Sequence, residues 1–282
     1  MVSFQYGFCA TQGKRGYQED AAAVWPSQVS NDTMTPEATF NWSLEFLPEA
    51  RCDGIVAVLA DGMGGHAGGA QASQTLCEAF IQNWVARITD GYVPAEESEA
   101  MNTALRAALQ AGNARIKEAT QADPALSGMG STLVGVVFYE KCLQWISVGD
   151  SPLYLYRRED IALLNEDHSL APALDKLANE GKISAEQAMN DPRRHMLRSA
   201  VTGESIDLID VSRRPLNVEK DDYIIIASDG IHTLSEQELA RLIHARGANG
   251  PHEVSQTIIR AIEDAGHPYQ DNATVIAVQI VA

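Results

Sequence analysis

The amino-acid sequence predicts an α+β protein built in layers. Three observations predict it. Short runs rich in β-branched and aromatic residues, bounded by Gly, Asp, Asn or Pro, recur along most of the chain. Several follow one another by hairpin-length gaps, as at Glu140-Lys141, which favours antiparallel pairing over crossover connections. A few long stripes of helical periodicity are interposed.

In chain order, strands are expected over 7–12, 21–25 and 55–60, the last an unbroken apolar run. The stretch 26–53 is polar and long for a loop, and reads as a surface insertion. After the glycines near position 65, Leu76, Phe80, Trp84 and Ile88 recur every fourth residue. From 97 to 120, Met101, Leu105, Ala108, Leu109, Gly112 and Ile116 do the same. Both are amphipathic helices of the kind that pack on a sheet. Strands follow over 131–139, 143–148 and 153–157. The stretch 168–202 carries helix-like pieces at 173–180 and 184–189 and reads as a flap beside a site. Strands over 206–211, 223–227 and 274–281 complete the set, with helices near 235–246 and 251–265 between the last two. Neither an internal repeat nor a linker divides the chain, so a single domain over 1–282 is expected.

With 282 residues, 45% hydrophobic and 21% charged, the chain has globular composition and ample material for a core. Its longest apolar runs fall far short of the ~20 residues that cross a bilayer. The first residues show neither a basic start nor an apolar signal region. No membrane association is therefore expected. The cysteines at 9, 52, 77 and 142 are scattered, without a CxxC pair, and read as reduced thiols of a cytoplasmic protein. A net charge of −17 disfavours nucleic acid as a partner. It also raises the question of whether some carboxylates are gathered round a cation.

Position answers part of that question. The run 55–60 ends in Asp61-Gly62, the run 143–148 in Gly149-Asp150-Ser151, and the run 223–228 in Asp229-Gly230. Asp271-Asn272 opens the strand over 274–281. An aspartate at the mouth of a buried strand is costly unless it is paired or metal-bound. Any one of these is an ordinary turn residue, but four in one chain point to clustering at one end of the sheets. Few basic residues lie near them in sequence, and oxygen-only ligands select a hard cation such as Mg²⁺, Mn²⁺ or Ca²⁺. No Cys/His spacing of the zinc type is present. Several carboxylates on hard cations suit a two-metal hydrolase. The segment from Gln12 to Asp20 adds Arg15, able to grip a phosphate by two parallel hydrogen bonds, and two further acids, Glu19 and Asp20.

With these residues in view, the chain resembles the metal-dependent protein phosphatases, the type 2C serine/threonine family, and in particular bacterial single-domain members. The likeness runs nearly end to end. It rests on Gly13-Lys14-Arg15 through Glu19-Asp20, Ala60-Asp61-Gly62-Met63-Gly64-Gly65-His66, Gly128-Met129-Gly130-Ser131-Thr132 and Ser147-Val148-Gly149-Asp150-Ser151. Asp167-His168-Ser169, Ala227-Ser228-Asp229-Gly230 and Asp271-Asn272-Ala273-Thr274 complete the series. The resemblance implies a four-layer α-β-β-α sandwich of two antiparallel sheets flanked by helices. It implies hydrolysis of phosphoserine and phosphothreonine by a water between two Mg²⁺ or Mn²⁺ ions. Asp61 would bridge the ions, Asp229 and Asp271 would hold one, and the carbonyl of Gly62 the other. Glu19 and Asp20 would act mainly through water, Arg15 would bind the phosphate, and Asp150 with Asp229 would form a weaker third site. Phosphorylated proteins, including a partner kinase, are the implied partners. Eukaryotic relatives carry a His directly after Asp-Gly as general acid. Here that position is Met63, and the leaving-group proton falls to His66, a metal-bound water or a flap residue such as His195. Pro152 stands where bacterial relatives often have Arg, which is expected to alter the local loop.

Three rival readings compete. Cys9 through Arg15 has the Cys-x5-Arg spacing of a cysteine phosphatase, but with a single Gly in the loop. Gly62-Met63-Gly64-Gly65-His66-Ala67 fits a dinucleotide fingerprint, but the chain lacks alternating βαβ units. A catalytically inactive regulator that keeps the fold and binds phosphoproteins is the third. The presence of every expected carboxylate speaks for an enzyme.

Overall fold

Apolar side chains on both faces of one strand need a covering on each side. The computed structural model of the chain, which describes residues 3–26, 54–65, 67–89 and 98–281, supplies both coverings. The elements run β1 (Phe4–Thr11), β2 (Asp20–Pro26), β3 (Gly54–Met63), α1 (Ala67–Thr89), α2 (Ser98–Ala122), β4 (Gly130–Ser131), β5 (Leu133–Tyr139), β6 (Cys142–Val148), β7 (Leu153–Arg157) and β8 (Asp160–Leu163). Then come α3 (Ala171–Asn179), α4 (Ala185–Met189), β9 (Asp210–Val211), β10 (Leu216–Asn217), β11 (Tyr223–Ala227), α5 (Glu236–Arg246), α6 (Pro251–Asp264) and β12 (Ala273–Ile280). One sheet has the order β1-β12-β11-β7-β8. The other runs β10-β6-β5-β3-β2, with β9 on β6 and β4 on β3. The pairings are antiparallel throughout.

Strand alternation sorts the core into three seams. From β3, Ile55, Ala57 and Leu59 point between the two sheets, where they meet Ile224, Ile226, Ile276 and Val278 of the opposite sheet. Val56, Val58 and Ala60 point the other way, into the helical layer of α1 and α2, among Leu76, Phe80, Trp84, Met101 and Leu105. On the far sheet, Ile225, Val275 and Ala277 face α5 and α6 through Leu239, Ile243, Ile258 and Ile262. The order is thus α1/α2, sheet, sheet, α5/α6, the four-layer sandwich that the resemblance implies. Side chains such as Trp84 and Phe80 are almost wholly buried, and each contributes about 2–3 kcal/mol of transfer free energy. Gly135 is what lets the Phe80 ring lie flat on β5, because a Cβ there would stand 2.3 Å from Phe80 Cζ.

The flap lies between β8 and β9. A capping box joins Ser184 and Gln187 at the start of α4, and Arg194 grips Asp175 of α3 by two bonds of 2.7 and 2.9 Å. One expectation needs correction. The strand expected over 206–211 forms only at Asp210–Val211. Before it, the chain is held by Ser199, whose hydroxyl donates to Leu208 O and accepts from Leu208 N–H, while Ile206 and Ile209 pack on the core as loop residues. The exposed edge strand β8 and the short β10 add to the expected set. Most of the expected insertion, residues 27–53, lies outside the described residues.

Candidate active site

The strand-end aspartates gather at one mouth of the sandwich. Asp61 follows Ile55, Ala57 and Leu59 in register, so it belongs to the inter-sheet side of β3. Asp20 stands opposite it in the β2–β3 ladder. The Asp20 carboxylate crosses to the other sheet, where its Oδ2 accepts from Ser228 Oγ and Thr274 Oγ1, each at 2.7 Å. Its Oδ1 is buried and has no hydrogen-bond partner among the described residues. A residue of one sheet is therefore held by two hydroxyls of the other.

Around Asp61 the backbone is clipped on both sides. Its N–H donates to Thr132 Oγ1 at 3.0 Å, and its carbonyl accepts from Thr132 N–H and Ser131 Oγ, both at 2.9 Å. Gly62 N–H donates to Glu19 O at 3.1 Å. Close approach explains the glycines here: a Cβ on Gly62 would lie 2.1 Å from Gly69 O, and one on Gly69 2.0 Å from Glu19 Oε1. The end of β3, the start of α1 and Glu19 can close up only without those side chains. Asn272 fixes the opposite rim. It accepts from Glu19 N–H at 2.8 Å and donates to Gln12 O and Tyr17 O at 2.9 and 3.0 Å.

Asp150 follows Gly149, whose φ of 101° is a left-handed conformation suited to glycine. Gly149 N–H donates to His168 Nδ1 at 3.2 Å and His168 N–H to Gly149 O at 3.0 Å, while His168 O accepts from Arg198 N–H at 2.8 Å. His168 thereby ties the Asp150 turn to the flap. Asp229 opens a 3₁₀ turn after β11, and Asp271 precedes β12 and is paired with Arg15.

The result is a cleft of about 690 Å³. Arg15, Glu19, Asp61, Gly62, Asp150, Asp229 and Asp271 line it, together with the flap segment from His195 to Ala200. The sequence candidates are thus brought together, with two exceptions. Asp20 sits behind the wall, fully buried, rather than on it. His66 lies outside the described residues. Met63, at the position of the eukaryotic general acid, also lines the cleft.

Crowded carboxylates away from water resist ionisation. Burial pushes Asp150 up to about 7, with Asp229 and Asp167 adding to it. Burial likewise pushes Asp20 up to about 7 against the pull of its two hydroxyl donors. Asp61 is held well above the carboxylate range by burial and by Asp20, Asp229, Asp150 and Asp271. Asp229 is raised by burial and by Asp271, with His232, Asp61 and His195 acting the other way. Among the described residues no three His, Cys, Asp or Glu side chains form a ready-made cage, and Arg15 occupies Asp271. The donor set nevertheless fits hard divalent cations: it is all oxygen, its negative charge is uncompensated on the Asp150 side, and Asp20 presents a buried oxygen without a partner among the described residues. Neither rival chemistry survives the geometry. Cys9 faces the α5/α6 layer, and burial raises its thiol pKa. β3 is flanked by antiparallel strands rather than built into a βαβ unit.

The residues that hold the acids went unassigned from sequence. Thr132, Ser228, Thr274 and Asn272 stand inside or beside the recognised motifs, yet their partners lie up to 260 positions away.

The Protein phosphatase 2C family model matches residues 46–272. The serine/threonine phosphatase stp of Listeria monocytogenes is 31% identical over 225 residues, covering 79% of this chain and 84% of that protein. A serine/threonine phosphatase of S. agalactiae has a similar structure, with a TM-score of 0.77 at 22% identity over 99% of this chain and 100% of the other. The catalytic domain of the serine/threonine protein phosphatase PstP in complex with two manganese ions has a TM-score of 0.71 at 24% identity, each chain being fully covered.

Proposed function

This chain belongs to the protein phosphatase 2C family and is a serine/threonine phosphoprotein phosphatase, and we propose that it works through two Mg²⁺ or Mn²⁺ ions at the strand-end carboxylates. Asp61, Asp229, Asp271 and the carbonyl of Gly62 would hold the ions. Glu19 and Asp20 would reach them through water, and Asp150 with Asp229 would offer a weaker third position. When bound, such ions neutralise charge on the phosphoryl oxygens and lower the pKa of water. The observation that carries this reading is the meeting of acids from both sheets on one cleft beside Arg15.

The chain's own groups orient the ester and supply its proton. Arg15 is already committed to a carboxylate, Asp271. Binding a phosphate exchanges one pair of anionic oxygens for another that a guanidinium can grip in the same way. Asp20, anchored by Ser228 and Thr274, fixes the spacing of the two sheets at the mouth. As the ester P–O bond breaks and a water oxygen takes its place, the departing serine or threonine oxygen needs a proton, because an alkoxide is a poor leaving group. Met63 cannot give one. Three sources remain: His66, a metal-bound water, and His195, which lines the cleft from the flap.

The substrates are phosphorylated proteins, a partner kinase among them, and residues 1–282 act as one catalytic domain. Among the described residues no helix is long and apolar enough to cross a membrane, and Cys9 and Cys77 are free thiols. Both support a cytoplasmic location. The test is turnover of a phosphothreonine peptide by chelated protein titrated with Mn²⁺. Wild type regains activity, whereas Asp61→Ala and Asp229→Ala fall on the order of a hundredfold or more. A wild type inert at every Mn²⁺ concentration would leave the regulator reading in its place.

A further inference from the structure

The flap carries three arginines, and two are spoken for. Arg193 pairs with Asp191, and Arg194 with Asp175. The third, Arg198, is exposed and lines the same cleft as the acids and Arg15. Among the described residues its guanidinium has neither a hydrogen-bond nor an ion-pair partner. Asp207 lines the same cleft, and among the described residues no ion pair joins it to Arg198.

The backbone under Arg198 is held firmly. Its N–H donates to His168 O, and Leu197 before it bridges Ser169. The buried hydroxyl of Ser199 after it makes two bonds to Leu208, and Val201 bridges Ser131 beside Asp61. Of the residues that follow, Ser199 and Val201 are buried, whereas Arg198 is exposed. The side chain is thus presented to the cleft from a braced segment. A chain of net charge −17 repels anionic substrates in general. An unpaired cation in the cleft that also holds Arg15 is the place where a second negative group is drawn in rather than repelled.

We infer that Arg198 forms an anion-recognising subsite on the flap, which makes the enzyme favour phosphoserine or phosphothreonine with a second anionic group close by in the substrate. This rests on the phosphatase reading above. Two sources share the chemistry: an acidic side chain and a second phosphate.

The experiment measures kcat/KM of the Mn²⁺-loaded enzyme on phosphothreonine peptides. In one series a Glu, and in another a second phosphorylated residue, is moved through successive positions on either side; a neutral-flanked peptide is the reference. Wild type is expected to prefer one or more anionic placements by about tenfold, as for a charge-assisted hydrogen bond in a half-open cleft. The preference should reside mainly in KM and shrink with added salt. Arg198→Ala loses it, Arg198→Lys keeps part of it, and Arg198→Glu shifts it towards peptides with Lys in the same place. Arg193→Ala removes the same charge from the flap outside the cleft and retains the preference. A gain in both series assigns a general anion site, and a gain with the second phosphate alone assigns a phosphate site. Wild type without preference at any position overturns the inference. So does a preference that survives Arg198→Ala, or one that disappears equally in Arg193→Ala. Should wild type fail even on the neutral peptide with Mn²⁺ present, the phosphatase reading itself is what falls.

Discussion

Chelation should make this protein less stable as pH rises through the weakly acid range. Asp150 titrates near 7 in the folded chain instead of at its ordinary 3.8, because burial and the neighbouring Asp229 and Asp167 oppose its charge. A raised folded pKa means that folding favours the protonated form. The associated stability is complete below 3.8 and is lost as pH climbs towards 7. For Asp150 alone the difference between those limits is about 4 kcal/mol. Asp20, Asp61 and Asp229 are displaced in the same direction by overlapping repulsions, so the loss for the cluster is at least that of one member and less than a simple sum. At this chain length 4 kcal/mol corresponds to a fall of roughly 7 °C in Tm. His168 acts oppositely: burial depresses its pKa, so its contribution is lost as pH falls below 6.5. The clean measurement is therefore a difference. Urea or thermal unfolding of EDTA-treated wild type and Asp150→Asn is followed by circular dichroism from pH 4 to 8, with and without Mn²⁺. Wild type should lose stability relative to Asp150→Asn as pH rises, and Mn²⁺ should abolish the loss. Parallel pH profiles for the two chelated proteins would refute the claim that uncompensated carboxylates strain this mouth.

Two further substitutions probe the site's surroundings. Gly69→Ala places a methyl on Glu19 Oε1, so activity should drop about tenfold or more with a higher Mn²⁺ requirement, while circular dichroism shows the fold intact. Cys9→Ser should keep full turnover at a stability cost of about 1 kcal/mol, since the thiol faces α6 rather than the cleft; loss of turnover with an unchanged melting curve would revive covalent catalysis by Cys9.

Legibility from sequence followed the range of the interactions. The core strands were readable because long β-branched runs such as 55–60 and 274–280 leave little choice. β8 escaped because its signals are weak. It is an exposed edge strand of Asp160–Leu163, reached by a turn in which Arg158 and Glu159 take φ of 54° and 69° without the Asn-Gly or Asp-Gly that announces such a hairpin. The 206–211 stretch misled because Ile206 and Ile209 reach the core from a loop, so apolar spacing imitated a strand. The acids of the site stood out because Asp beside Gly at a strand end is a local pattern. Their supports did not: the bond from Thr274 to Asp20 spans 254 positions, and nothing in either neighbourhood announces the other. Arg198 was hidden for a different reason, since its significance lies in the partner it lacks.

The two-faced burial of β3 has a consequence for how this strand tolerates change. Loss of one residue between Ile55 and Leu59 would leave it as oily as before, because the side chains on either face are apolar. Asp61, however, would turn its back on the opposite sheet and look into the helical layer. Hydrophobicity therefore does not index this strand. The marks that fix its phase are polar and lie at its end, where Thr132 grips Asp61 and Gly62 grips Glu19. The hydrogen bonds that brace the acids thus also tell the polypeptide where the strand must stop sliding.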